Sequence, residues 1–242
     1  MNQQELFYLC FITFTASAFR GLSGVGFSLV FTPLALLFID AKNTVMLSLF
    51  LSAISCLLML LFVWKNVEVS LIAGLIGFYL FSAPLGTLIL LKASSNTLLL
   101  LISFIVIVFS IILLSGKKIK IENQKAGRAV TGLISGLLGA SSALSGPAVI
   151  LFLVNQGIEK NNFRASTIAF FLATSIFSLG LAFWGQGQVP WDLLVNGLIT
   201  VPAMVAGLVL GSALFKYVSS QLLTKVVLFI VIFTALINLL EK

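Results

Sequence analysis

Eighteen successive residues without a charge, "TLLLLISFIVIVFSIILL" from Thr97 to Leu114, determine which solvent this chain is built for. A second run, "VVLFIVIFTALINLL" from Val226 to Leu240, is of the same kind. Both approach the roughly 20 apolar residues that carry a helix across a bilayer. The rest of the chain agrees: 60% of its 242 residues are hydrophobic and 9% are charged, far below the quarter usual in a soluble domain. Apolar and polar residues do not alternate as they do along a membrane barrel strand, which leaves an all-α integral membrane protein. The start, "MNQQELFYLC", has no basic n-region and carries Glu5, so it is expected to belong to the fold and not to a cleaved signal.

A net charge of +7 would suggest nucleic acid in a soluble chain. Here the cations cluster between apolar runs, where they orient a protein in a membrane, and no nucleic-acid partner is expected. The most polar stretch, "SGKKIKIENQKAGR" (Ser115 to Arg128), divides the chain near its middle. The two sides carry a weak internal repeat. "APLGTLILLKASSNTLLL" (Ala83 to Leu100) matches "LVLGSALFKYVSSQLLTK" (Leu208 to Lys225), aligning Gly86 with Gly211 and Ser94–Ser95 with Ser219–Ser220. Earlier in each half "GLSGVGFSLVFTP" matches "GLLGASSALSGP", aligning Pro33 with Pro147. The expected organisation is one transporter domain of two pseudo-symmetric repeats, 1–114 and 129–242, joined by the linker 115–128.

Each repeat reads as a small-residue segment followed by three spans: 44–64, 69–91 and 97–114, then 166–184, 193–215 and 222–240. The first segment, Leu6 to Ile39, would make a helix of roughly 51 Å, too long for a single crossing of a hydrocarbon core of about 30 Å. Gly21, Gly24 and Gly26 lie in its middle, and two shorter helices joined by a break are expected. If both small-residue segments cross fully, the Lys and Arg other than Arg20 divide seven against six between the faces. If both are hairpins, the linker face collects ten against three, which satisfies the positive-inside rule. That choice puts the linker in the cytoplasm and both termini outside, and it inverts one half relative to the other.

Irregular backbone at membrane depth needs partners for its free N–H and C=O groups, from protein or from a wet cavity. Ser23, Ser28 and Thr32 surround the first break, and Ser141, Ser142 and Ser145 the second. Pro33 and Pro147 suit the first turn of a following half-helix. Two half-helix N-termini meeting near the midplane would offer amides to an anion. Arg20 sits beside the first break; an arginine at the centre of a membrane helix costs about 2.5–3.5 kcal/mol and tends to face a cavity or a partner. Its fork of donors suits an oxyanion, and the competing reading is a side chain that snorkels to the interface or pairs within the fold. Arg164 has the same two readings. Thr44, Ser48, Ser52, Thr167 and Thr174 would extend the lining, or serve helix packing.

Trp64, Trp184 and Trp191 fall near span ends and read as interfacial anchors. The "SAPLG" and "GLVLG" stretches read as helix-contact faces. Cys10 and Cys56 lack the spacing of a metal or disulfide pair and read as small buried hydrophobes. The chain has no histidine, which removes Ser-His hydrolysis and HExxH metal chemistry. Its acidic residues lie near span ends, which disfavours an intramembrane carboxylate dyad. No enzyme activity, cofactor or metal is expected.

At "GVGFSLVFTP" (Gly24 to Pro33) and "GASSALSGP" (Gly139 to Pro147) the chain resembles the TauE/SafE sulfite exporter family, along essentially its whole length. Phe27 and Ser28 stand where that family usually has glycines, and "FRAST" (Phe163 to Thr167) looks like the sequence that often follows its second motif. The resemblance implies a multi-pass permease of the bacterial inner membrane that exports sulfite, sulfoacetate or other sulfonates. The substrate-binding set expected from the breaks and from the resemblance together is Arg20, Ser23, Gly24, Gly26, Ser28, Pro33, Thr44, Ser141, Ser142, Ser145, Pro147, Arg164 and Thr167. The expected partners are a small anion and the lipid bilayer, with a homo-oligomer left open.

Overall fold

The computed structural model describes residues 3–114, 123–154, 156–187, 189–214, 229 and 232–238. Among them there is helix and no strand. In the first half α1 (Gln3–Ser23) and α2 (Phe27–Ala35) are followed by α3 (Ala41–Val63), α4 (Val69–Lys92) and α5 (Ser95–Leu114). After the linker come α6 (Gln124–Ser142), α7 (Gly146–Val154), α8 (Lys160–Gln186), α9 (Trp191–Ile199) and α10 (Val201–Leu214). Five of these helices are long and apolar enough to cross a membrane, and the α9–α10 pair makes a sixth candidate. Of the span expected at 222–240 only residues 229 and 232–238 are described, as helix; the serines 219–220 and linker residues 115–122 lie outside the described residues.

Local chemistry accounts for the helix limits. Asp40 caps α3 by accepting from the backbone N–H groups of Lys42 and Asn43 at 3.0 and 3.2 Å, and Asn123 caps α6 in the same way. The span expected at 193–215 is not one straight rod. It bends by 47° between α9 and α10, where Pro202 has no N–H to donate to the Leu198 carbonyl and the last turn of α9 closes through Thr200, whose hydroxyl donates to the Gly197 carbonyl at 2.7 Å.

Large apolar side chains cover the outside, among them Phe62 at 88% exposure. In water such a surface would be a liability; in lipid it is the ordinary exterior. Trp64, Trp184 and Trp191 are exposed near helix ends, as interfacial anchors are.

The two halves exchange partners. α1 packs most closely on α10, α6 on α4, and α3 on α8. Glycines make the first two pairings close: a Cβ at Gly211 would run into the backbone of Ala18 on α1, and one at Gly136 into the backbone of Tyr79 on α4. These contacts agree with the packing role read for Gly86, whose own Cβ would meet the Leu137 carbonyl of α6, and for Gly211.

Contacts at the two ends trace the chain. At one end the ring of Tyr8, near the start of α1, stacks on that of Phe38 just beyond α2, with centroids 5.0 Å apart. Lys42 at the start of α3 donates there to the Leu91 carbonyl at the end of α4, at 2.9 Å. The α1–α2 pair therefore begins and finishes at this end. At the other end Asn162 of α8 donates to Glu68 at 2.6 Å, and a Cβ on Gly74, early in α4, would touch Arg128, early in α6. The second broken pair, α6–α7, thus starts and finishes at the opposite end.

Candidate functional site

Both breaks are three residues long, Gly24–Gly26 and Ala143–Ser145, and both open on a left-handed residue. Gly24 has φ +78° and Ala143 has φ +61°. Their backbone N–H groups close the preceding helix in the same way, Gly24 N to the Arg20 carbonyl at 2.6 Å and Ala143 N to the Gly139 carbonyl at 2.9 Å. This register sets Ser28 opposite Pro147. Pro147 does sit in the first turn of its half-helix, but Pro33 is the seventh residue of α2. The expected equivalence of the two prolines is therefore corrected: α2 starts at Phe27, directly after the glycines, well before Pro33. Pro33 instead offers its carbonyl to Asn238 Nδ2 at 3.0 Å.

Between the two breaks lies a cavity of about 20 Å³, room for roughly one water. Gly26 of the first break and Ser28 of α2 contribute on one side, and Ser145 of the second break and Pro147 of α7 on the other. Arg20 from α1, Ser52 from α3, Tyr79 from α4 and Thr174 and Ser175 from α8 complete the polar wall. Two helix N-termini thus border one small space, and their first-turn amides have no intrahelical acceptors.

Arg20 is 2% exposed, so it does not snorkel. Nη1 donates to the Ser52 carbonyl at 2.9 Å, to Ser55 Oγ at 2.7 Å and to Cys56 Sγ at 3.0 Å, while Nη2 donates to Ser52 Oγ at 3.0 Å. The rings of Phe27 and Phe171 lie 5.1 and 5.8 Å from its central carbon. Its hydrogen-bond acceptors are all neutral side-chain or backbone groups. Ser52 holds the end of the guanidinium and Ser55 and Cys56 hold the rest of Nη1, while Nε has no acceptor. In a planar fork of five donors, this leaves the Nε/Nη2 side edge, the edge that takes two oxygens of one anion.

The remaining expected ligands divide by position. Gly26, Ser28, Ser145 and Pro147 line the cavity. Ser23 stitches the break, donating to the Phe19 and Val25 carbonyls at 2.8 and 2.7 Å, and Gly24 supplies the left-handed turn. Ser141 and Ser142 turn back onto the Leu137 and Leu138 carbonyls at 2.7 and 2.6 Å. Thr44 bonds to the Ile39 carbonyl at 3.2 Å and Thr167 to the Phe163 carbonyl, so neither hydroxyl is brought to the cavity. Arg164 reaches from α8 to the Gly21 carbonyl at the end of α1 at 2.6 Å and to Ser212 at 3.0 Å. Its stem packs over Gly24, and the guanidinium borders a separate apolar wedge between α3 and α10.

Sequence reasoning missed Tyr79, Ser55 and Ser175. It also treated Cys56 as a plain hydrophobe, whereas its sulfur accepts from Arg20. Their one visible signal was polarity inside apolar runs, which many packing serines share.

An all-helical, multi-pass membrane protein with a buried cation between two interrupted helices is the class that this fold and site define. The chain belongs to the sulfite exporter TauE/SafE family, whose family model matches residues 9–238. It is 31% identical over 135 residues to the "Probable sulfite/organosulfonate exporter TauE" of Cupriavidus necator, a stretch covering 54% of this chain and 52% of that protein. The match thus spans about half the length of that relative. No solved structure matches the chain.

Proposed function

We propose that the chain is a secondary transporter that exports sulfite or a small sulfonate by alternating access, with the anion held at Arg20 between the two breaks. The observation that carries this reading is the neutral surroundings of a fully buried guanidinium. A buried charge without a counter-charge is costly, and an anion in the cavity removes that cost. Export and the sulfur oxyanion follow from the likeness to the Cupriavidus necator sulfite/organosulfonate exporter.

Two observations favour a carrier over a channel. The cavity has room for roughly one water, so an oxyanion enters only after the surrounding helices part. The broken pairs also return to opposite ends of the bundle, which supports inverted halves that rock about a central site. The same arrangement supports a cytoplasmic linker with both termini outside, since the linker end carries Lys65, Lys125, Arg128, Lys160 and Arg164.

Flux of labelled sulfite from proteoliposomes tests the reading. Saturable flux with counterflow, lost in Arg20→Gln, is the expected result. Large single-channel currents, or equal flux through a folded Arg20→Gln protein, would overturn it.

A further inference from the structure

We infer that the site holds a single negative charge: it takes a monoanionic oxyanion, clamped between the side edge of Arg20 and the hydroxyl of Tyr79, and discriminates against dianions. This rests on the transport reading above and narrows it.

The charge count comes from the register of the breaks. Gly24 closes on the Arg20 carbonyl as Ala143 closes on that of Gly139, so the second half has a glycine where the first has its arginine. Tyr79 from α4 fills the vacated space. A methyl group on Gly139 would stand 2.6 Å from the tyrosine hydroxyl. Among the described residues Arg20 is the one charged side chain lining the cavity. Each break also sets the C-terminus of one helix beside the N-terminus of the next, so their partial charges largely offset. The amides supply direction, and the whole-number charge is that of Arg20.

Tyr79 is suited to be the second donor. It is 1% exposed and lines the cavity. Its oxygen lies 2.7 Å from Ser178 Oγ in a bond that either hydroxyl can donate. When Ser178 donates, the tyrosine proton is released toward the cavity without leaving either oxygen unsatisfied. A monoanion then meets one cation and one neutral donor. A dianion in the same place leaves a second negative charge buried without a partner, which interiors tolerate poorly.

Titration calorimetry on the full chain in nanodiscs tests this with two ligands across a pH series. Methanesulfonate is a monoanion throughout, whereas sulfite passes from monoanion to dianion near neutrality. The expected result is methanesulfonate affinity that stays level, while apparent sulfite affinity falls about tenfold per pH unit above its second ionisation. Tyr79→Phe is expected to weaken methanesulfonate binding about tenfold and to leave the sulfite slope unchanged. Sulfite affinity that holds or rises with pH overturns the charge limit. A folded Tyr79→Phe protein with full affinity overturns the clamp, and if that variant does not fold the wild-type series still decides the charge. If folded wild-type protein binds neither ligand, the transport reading itself fails and takes this inference with it.

Discussion

Arg20 on α1 gives both of its terminal nitrogens to one residue of α3: Nη1 reaches the Ser52 carbonyl at 2.9 Å and Nη2 the Ser52 hydroxyl at 3.0 Å. Ser52 thereby fixes the guanidinium plane from its end and leaves the side edge over. Ser175 of α8 adds a 3.3 Å bond to the same hydroxyl, linking the central helices of both halves to the cation.

Ser52→Ala removes the hydroxyl and keeps the carbonyl. A buried charged donor then loses its acceptor, a loss of about 1–3 kcal/mol. The expected outcome is a lower melting temperature in detergent and weaker anion binding, read by thermal shift with and without sulfite.

Arg164 and Arg20 are expected to separate. Arg164→Gln loses the bond to the Gly21 carbonyl and lowers thermal stability. Because Arg164 does not line the cavity, methanesulfonate binding to the surviving folded protein stays within about threefold, roughly 0.7 kcal/mol. A loss as large as that of Arg20→Gln would show that Arg164 contacts the anion.

The left-handed residues that open the breaks make opposite predictions. Gly24→Ala puts a Cβ at φ +78° and into the stem of Arg164, and destabilises by about 1–2 kcal/mol or more. Ala143 already has φ +61°, so Ala143→Gly relieves that cost and raises the melting temperature. Two shifts of the same sign would contradict the register of the breaks.

Gly211→Ala drives a Cβ into the α1 backbone at Ala18. Overpacking of this kind costs about 1–3 kcal/mol, and because the contact joins the two halves, a reduced yield of folded monodisperse protein is expected on size-exclusion chromatography.

The described spans and the two interruptions were legible in the sequence because hydropathy and glycine placement are local. The spans expected to begin at Thr44 and Thr97 start at Ala41 and Ser95, and a capping Asp40 accounts for the first. Pro202 was visible too, but whether a proline ends, starts or bends a helix depends on which neighbours donate to the carbonyls around it, here Thr200. Pro33 misled for the same reason: a proline near a break reads as a first turn until the break is located. Tyr79 could not be read, since nothing in α4 announces that a glycine 60 residues later vacates the space it fills. The hydroxyls of Thr44 and Thr167 were legible as polar groups in apolar helices, but both are absorbed by carbonyls of their own chain segment.

The most direct measurement is the position of a bound anion. Selenite has the shape of sulfite and scatters X-rays anomalously, so crystals soaked in it at mildly acidic pH locate the ligand without reference to any variant. The predicted result is one anomalous peak within hydrogen-bonding reach of Arg20 Nε, between the first turn of α2 and Ser145. Selenite bound elsewhere in the bundle, with the edge of Arg20 left empty, would contradict a central anion site.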